Sequence, residues 1–171
     1  VESSCVYAVQ NHRELQISMS IPDDIYVMAD EIELARVISN LLENARRYGK
    51  TVDTETTYVD ITLKTRENWV LMRIRDHGPG VPPDQLARLT QPFFRGDSAR
   101  TAAAGAGLGL SIVDRTVQRM GGIFTITNAN GGGIAANIQL QRVTDVPTGQ
   151  DPKHRLQRPQ VKRHLPPDNT I

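Results

Sequence analysis

Polar and apolar residues alternate from Leu15 onward within residues 13–21, the period of a half-buried strand. Pro22-Asp23-Asp24 reads as a turn and Ile25-Tyr26-Val27-Met28 as a short strand. The spacing then changes. Leu34, Val37, Ile38, Leu41 and Leu42 recur at helical intervals and form one apolar stripe. Asp30 is placed to cap this helix, with Glu33 three residues on, and Gly49 ends it after Tyr48. Residues 50–57 are polar and loop-like. Tyr58 to Thr65 alternates again, Glu67-Asn68 reads as a hairpin turn, and Trp69 to Arg75 predicts the returning strand. Either Trp69 and Leu71 or Val70, Met72 and Ile74 face inward. A short helix is expected over 83–90 and a longer one over 108–120, where Leu108, Ile112, Val113, Val117 and Met120 share a face. Ile123 to Thr127 and Ile134 to Leu140 predict a closing hairpin around the turn Asn128-Ala129-Asn130-Gly131-Gly132-Gly133.

Two asparagines interrupt the strongest helix. Asn40 and Asn44 are four residues apart, so they share a face. Asn is poor in a helix interior, because its amide competes for backbone hydrogen bonds. The pair at the edge of an apolar stripe can offer side-chain oxygens to a ligand or metal; a solvated face carrying two Asn is the other reading, and the spacing leaves both open. Asp76-His77-Gly78-Pro79-Gly80 breaks the second strand with a carboxylate at its end and two glycines that permit close backbone approach. Such a carboxylate can accept from an amino group. Gly105-Ala106-Gly107-Leu108-Gly109-Leu110 opens the second long helix, and free amides at a helix start favour phosphate. No strand precedes these glycines, which disfavours a dinucleotide fingerprint, and no Gly-Lys-Ser/Thr follows them, which excludes a Walker A loop.

Composition narrows the classes. One cysteine, Cys5, allows no internal disulfide, and no Cys/His spacing suggests zinc. No apolar run approaches the ~18 residues of a membrane span, and the opening residues are not expected to form a signal peptide. Val1 is not a start methionine, so a piece of a longer protein is expected. Residues 141–171 carry six Lys/Arg and three Asp, while the other 140 residues hold 14 basic and 16 acidic groups. That near-neutral body argues against nucleic acid as the main partner. Residues 144–171, with Pro147, Pro152, Pro159, Pro166 and Pro167, read as a disordered basic tail that is solvated, or that touches a membrane surface or acidic partner.

The three segments in this order, with Pro92-Phe93-Phe94-Arg95-Gly96 between the last two, resemble the ATP-binding domain of bacterial sensor histidine kinases, members of the GHKL ATPase superfamily. Asn40 to Tyr48 is similar to that family's N box, Asp76 to Gly80 to G1, Phe93-Phe94 to the F box and Gly105 to Leu110 to G2. Asn44-Ala45-Arg46-Arg47-Tyr48 and Arg95 to Thr101 look most like the EnvZ branch, with RisS-like kinases a neighbour. The resemblance covers about 13–141. It implies an α/β fold, the two-layer Bergerat sandwich, with a mixed, mostly antiparallel sheet, helices on one face and a flexible ATP lid. Residues 1–12 would be the remnant of a linker, 13–143 the ATP-binding domain and 144–171 the tail.

The resemblance also implies roles. Asn44 would ligate Mg2+ through its side-chain oxygen, with Asn40 beside it near phosphate or the metal's water. Glu43 would act as general base or metal organiser. Arg47 would reach the phosphates and Tyr48 pack near adenine. Asp76 would read the adenine amine, with Gly78 and Gly80 letting the backbone pass the base and Val81 in its apolar floor. Arg95 and Arg100 would clamp the γ-phosphate, and Gly105, Gly107, Leu108, Gly109 and Leu110 would line the triphosphate with backbone. Core packing for Tyr48 and a solvated position for Glu43 are the plain alternatives. Arg46, His77 and Arg100 are equally readable as surface residues, and His12, His154 and His164 carry no motif. The implied activity is transfer of the ATP γ-phosphoryl group to a histidine on a separate dimerisation domain absent from this chain, feeding an OmpR-type response regulator. The implied parent is a homodimer in the bacterial inner membrane, this piece being a monomeric cytoplasmic domain. A protein-serine kinase or anti-sigma type ATPase of the same fold, and a non-catalytic nucleotide-sensing module, stand as alternatives.

Overall fold

The computed structural model describes residues 1–51, 53–91 and 109–144. The expected alternating segments become five strands: β1 (Leu15–Ser20), β2 (Thr57–Arg66), β3 (Trp69–Asp76), β4 (Ile123–Asn128) and β5 (Ile134–Gln141). They form one sheet in the order β1-β2-β3-β5-β4. β1 runs parallel to β2, and every other pairing is antiparallel. Among the described residues the helices are α1 (Glu2–Asn11), α2 (Glu31–Tyr48), α3 (Pro83–Leu86) and α4 (Gly109–Arg119).

Strand alternation decides the two faces. Val59 and Ile61 on β2, Met72 and Ile74 on β3, Phe124 on β4, and Ala136, Ile138 and Leu140 on β5 are buried in one cluster, and Val70 on β3 is buried as well. They meet the stripe Val37, Ile38, Leu41, Leu42 and Ala45 of α2, and Val113 and Val117 of α4. Each fully buried aliphatic contributes about 1.5–3 kcal/mol relative to exposure. Of the two faces open for β3, the Val70 set is therefore inside, and the other side of the sheet carries exposed positions such as Tyr58 and Arg73. Register then fixes one candidate site residue. Asp76 continues the inward row Val70, Met72, Ile74 and pairs with Val59 on β2. A carboxylate thus stands where the apolar row would continue.

Asp30 caps α2 as expected, its Oδ1 accepting from Glu33 N–H at 2.9 Å. Residues 1–12, for which the resemblance implies a linker remnant, hold α1, whose Cys5 is buried in the core and whose thiol is pushed up to about 11 by that burial. Only one α1 position is buried, so no apolar period announced the helix. Two expectations change, the strand at 25–28 and the length of the helix from 83. The short strand at 25–28 reduces to a single bridge between Val27 and Arg142, because the two segments touch only briefly. The helix expected over 83–90 stops at Leu86; none of its residues is buried, so no packing extends it. Among the described residues no helix is long and apolar enough to cross a membrane.

Candidate nucleotide site

The last turns of α2, the end of β3 and the start of α4 converge. Asn44 is half-buried on α2, and a Cβ placed on Gly109, the first described residue of α4, would lie 3.4 Å from its Nδ2. That nitrogen is buried without a hydrogen-bond partner among the described residues. A buried amide with unspent capacity is costly unless something completes it. Its oxygen and nitrogen exchange places by rotation, so it can turn oxygen to a cation or N–H to a phosphate. Among the described residues no group of three or more His, Cys, Asp or Glu is gathered to hold a metal. A cation that brings most of its oxygens with a nucleotide, as Mg2+ does, would fit such a site. Asn40 lies one turn earlier, half-buried, with no side-chain hydrogen bond among the described residues.

Glu43 is committed elsewhere. Its carboxylate is gripped by Arg46, with Nε donating at 2.7 Å and Nη2 at 2.8 Å, and it also accepts from Arg47 Nε. Arg46 first, and Arg47 after it, lower the carboxyl to about 2. A carboxylate held so far down is a poor proton acceptor near neutral pH. The geometry suits holding two arginines better than the general-base role the resemblance implied. Arg46 is no bare surface residue, since its Nη1 also lies 3.4 Å from Glu14 Oε1. Tyr48 closes α2 at 37% exposure, near the helix end but outside the core.

Asp76 is the most constrained polar group here. Its Oδ1 accepts from Gly78 N–H at 2.9 Å and Ile134 N–H at 3.2 Å. Among the described residues no other residue donates to Oδ2, which leaves that oxygen able to accept from a ligand. Burial pushes the carboxyl above the usual Asp range, against those two donated bonds. Three glycines make the packing possible. A Cβ on Gly49 would come within 2.6 Å of Asp76 Cβ, and one on Gly78 within 2.7 Å of Gly49 Cα. One on Gly133 would strike the Asp76 backbone carbonyl. In the sequence Gly49 marks only a helix stop and Gly133 only a hairpin turn. At Gly49 φ is −101°, so the position needs the missing side chain and not a left-handed backbone. The signal for both residues was spatial, and no local motif held it.

His77 sits on the outer side of this corner, with Nε2 2.7 Å from Asp60 Oδ2 and its N–H donating to Tyr58 O. Val81 is held by Asn128, a residue the sequence reading left in the hairpin turn. Gly109 and Leu110 open α4 as expected. Arg95, Arg100, Gly105, Gly107, Leu108 and the lid as a whole lie outside the described residues.

The family profile described as histidine kinase-, DNA gyrase B-, and HSP90-like ATPase matches residues 29–144, most of the chain and every described site element. The chain belongs to this ATPase family. Within the family it is 32% identical over 135 residues to the signal transduction histidine-protein kinase BaeS of Escherichia coli, covering 78% of this chain and 28% of that protein. It is 38% identical over 125 residues to the sensor protein KdpD of Mycobacterium tuberculosis, covering 72% of this chain and 14% of the relative. The chain therefore spans less than a third of these curated relatives. Its structure is similar to the mycobacterial sensor histidine kinase MprB, with a TM-score of 0.72, 27% identity and coverage of 82% of this chain and 92% of that one. The histidine kinase domain of the E. coli osmosensor EnvZ follows at a TM-score of 0.58 and 29% identity, covering 88% and 91%. The mixed sheet with helices on one face agrees with the expected family fold.

Proposed function

We propose that this chain binds Mg-ATP and presents its γ-phosphoryl group to a histidine on a separate dimerisation domain, as the ATP-binding half of a sensor histidine kinase. The observation that carries the reading is Asp76: a half-buried carboxylate with one oxygen fixed by Gly78 and Ile134 and the other left for an amino group such as that of adenine. Val81 supplies an apolar contact beside it. Asn44 holds the metal through its side-chain oxygen, with Asn40 beside it. Bound Mg2+ would neutralise phosphate charge. Arg47, set in place by Glu43, reaches toward the phosphates, and Tyr48 packs near the base. Gly109 and Leu110 offer the start of α4 to the triphosphate. Arg95, Arg100, Gly105, Gly107 and Leu108 keep the roles given by the motifs alone. In such a site the protein's share is positioning and charge, with little covalent work.

The relatives' names support a parent that is a sensor and histidine kinase, and a response regulator is the proposed receiver of its phosphate. An OmpR-type regulator and an inner-membrane, dimeric parent with this piece in the cytoplasm are the finer form of the proposal. Calorimetry tests the site. Asn44→Ala should weaken Mg-ATP binding at least tenfold and remove its magnesium dependence; unchanged Mg-dependent affinity would sink the metal role. The acceptor is tested by incubating the full-length protein with labelled ATP. An acid-labile phosphoprotein is expected, and an acid-stable label would point to a serine kinase of the same fold.

A further inference from the structure

The Asp76 corner depends on a residue outside all the nucleotide motifs. Asn128, the last residue of β4, uses its whole side-chain amide on one backbone unit. Its Oδ1 accepts from Val81 N–H at 3.1 Å, and its Nδ2 donates to Val81 O at 2.8 Å. This reproduces with a side chain the paired bonds that one strand residue makes to another. Val81 belongs to no strand or helix. The same fit explains Gly80. Its φ is +74°, and a Cβ there would lie 2.9 Å from Asn128 Oδ1. The second glycine of Asp-x-Gly-x-Gly thus makes room for Asn128, a protein atom, whatever it does for a ligand. The turn carrying Asn128 is itself tied to β3, because Arg75 Nη2 donates to Asn130 O at 2.9 Å and Gly132 O at 3.2 Å. Asp76 Oδ1 closes the ring by accepting from Ile134 N–H.

We infer that Asn128 is the positioning residue that sets base specificity: it fixes Val81, and through the loop the distance between that apolar floor and the free oxygen of Asp76. Base discrimination requires both groups at a fixed separation, since an amine acceptor alone does not hold the ring plane. The inference rests on the proposed nucleotide site and deepens it. Asn128 itself touches no reacting atom.

The test compares ATP and GTP affinity by calorimetry for the wild-type chain, Asn128→Ala, Gly80→Ala and Asp76→Ala, with amide exchange of residues 78–81 as the structural readout. Asn128→Ala should lower ATP affinity about tenfold and GTP affinity little, so that the ratio collapses while melting stays within a few degrees. Exchange at Val81 should quicken, and Gly80→Ala should behave alike. An unchanged ratio in Asn128→Ala, beside a lost ratio in Asp76→Ala, overturns the positioning role and leaves the site standing. Equal losses for both nucleotides in Asn128→Ala also overturn it. No base preference in the wild type, or an unchanged one in Asp76→Ala, removes the site and this inference together. If Asn128→Ala does not fold, Asn128→Ser, whose hydroxyl serves only part of the amide's role, carries the same comparison.

Discussion

At the scale of single residues, two carboxylates in one site are pushed in opposite directions. Glu43 is held down by two guanidiniums, and Asp76 is pushed up by burial. For Glu43 the stabilisation is present above the ordinary Glu range and is lost as pH falls from about 4.5 toward about 2. Glu43→Gln should therefore flatten the acid limb of a pH–stability curve in that window, and cost about 0.5–1 kcal/mol at neutral pH, since the pair is partly exposed. Unaltered acid unfolding would contradict it. For Asp76 the sign reverses: the raised carboxyl favours its protonated form, a contribution lost as pH rises through its elevated value. The useful acceptor is the ionised form. ATP affinity should accordingly begin to fall on acidification at a higher pH than an ordinary Asp would give. Titration of Asp76→Asn, which lacks the proton, should show that component missing. The two asparagines and the Asp-x-Gly-x-Gly run were legible in the sequence because each is a local departure from a period. The grip of Arg46 on Glu43 was not, since a run of charges on a helix reads as solvated until geometry joins them.

At the scale of elements, α2 carries the site and its start is fixed far from it. The Asp30 cap and the Glu33 contacts to Arg36 and Arg119 set the first turn, and Asn44 lies near the last. Asp30→Ala should destabilise the fold by about 1 kcal/mol, seen as a lower melting temperature, while ATP affinity at low temperature stays within twofold. A large loss of affinity would mean that the cap and the site are coupled through the helix. The strands and long helices were readable because period and length agree over many residues. α1 and the end of α3 were not: one has a single buried position and the other none, so periodicity had nothing to register. The inward face of β3 was ambiguous in sequence, and only its neighbours β2 and β5 decided it.

At the scale of the whole molecule, the site draws on three distant parts of the chain, joined by hydrogen bonds such as that from Ile134 to Asp76. A ligand bridging them should stabilise the fold as a unit. ATP with magnesium at about a hundred times its Kd should add about 2.7 kcal/mol, read as a rise in melting temperature that Asn44→Ala reduces. No rise under saturating nucleotide would argue against a site shared between these elements. The glycine contacts around Asp76 were invisible in the sequence because each residue lies in a different segment, and only folding makes them neighbours. They carry one more consequence, for a chain made from its first residue onward. Asn44 and Asp76 leave the ribosome long before Asn128 and Ile134. A half-made chain would hold Asn44, Asp76 and the Gly78 donor but neither the Ile134 donor nor the Asn128 clamp. Nucleotide capture would then wait on the β4–β5 hairpin, a segment that carries none of the residues proposed for the phosphates.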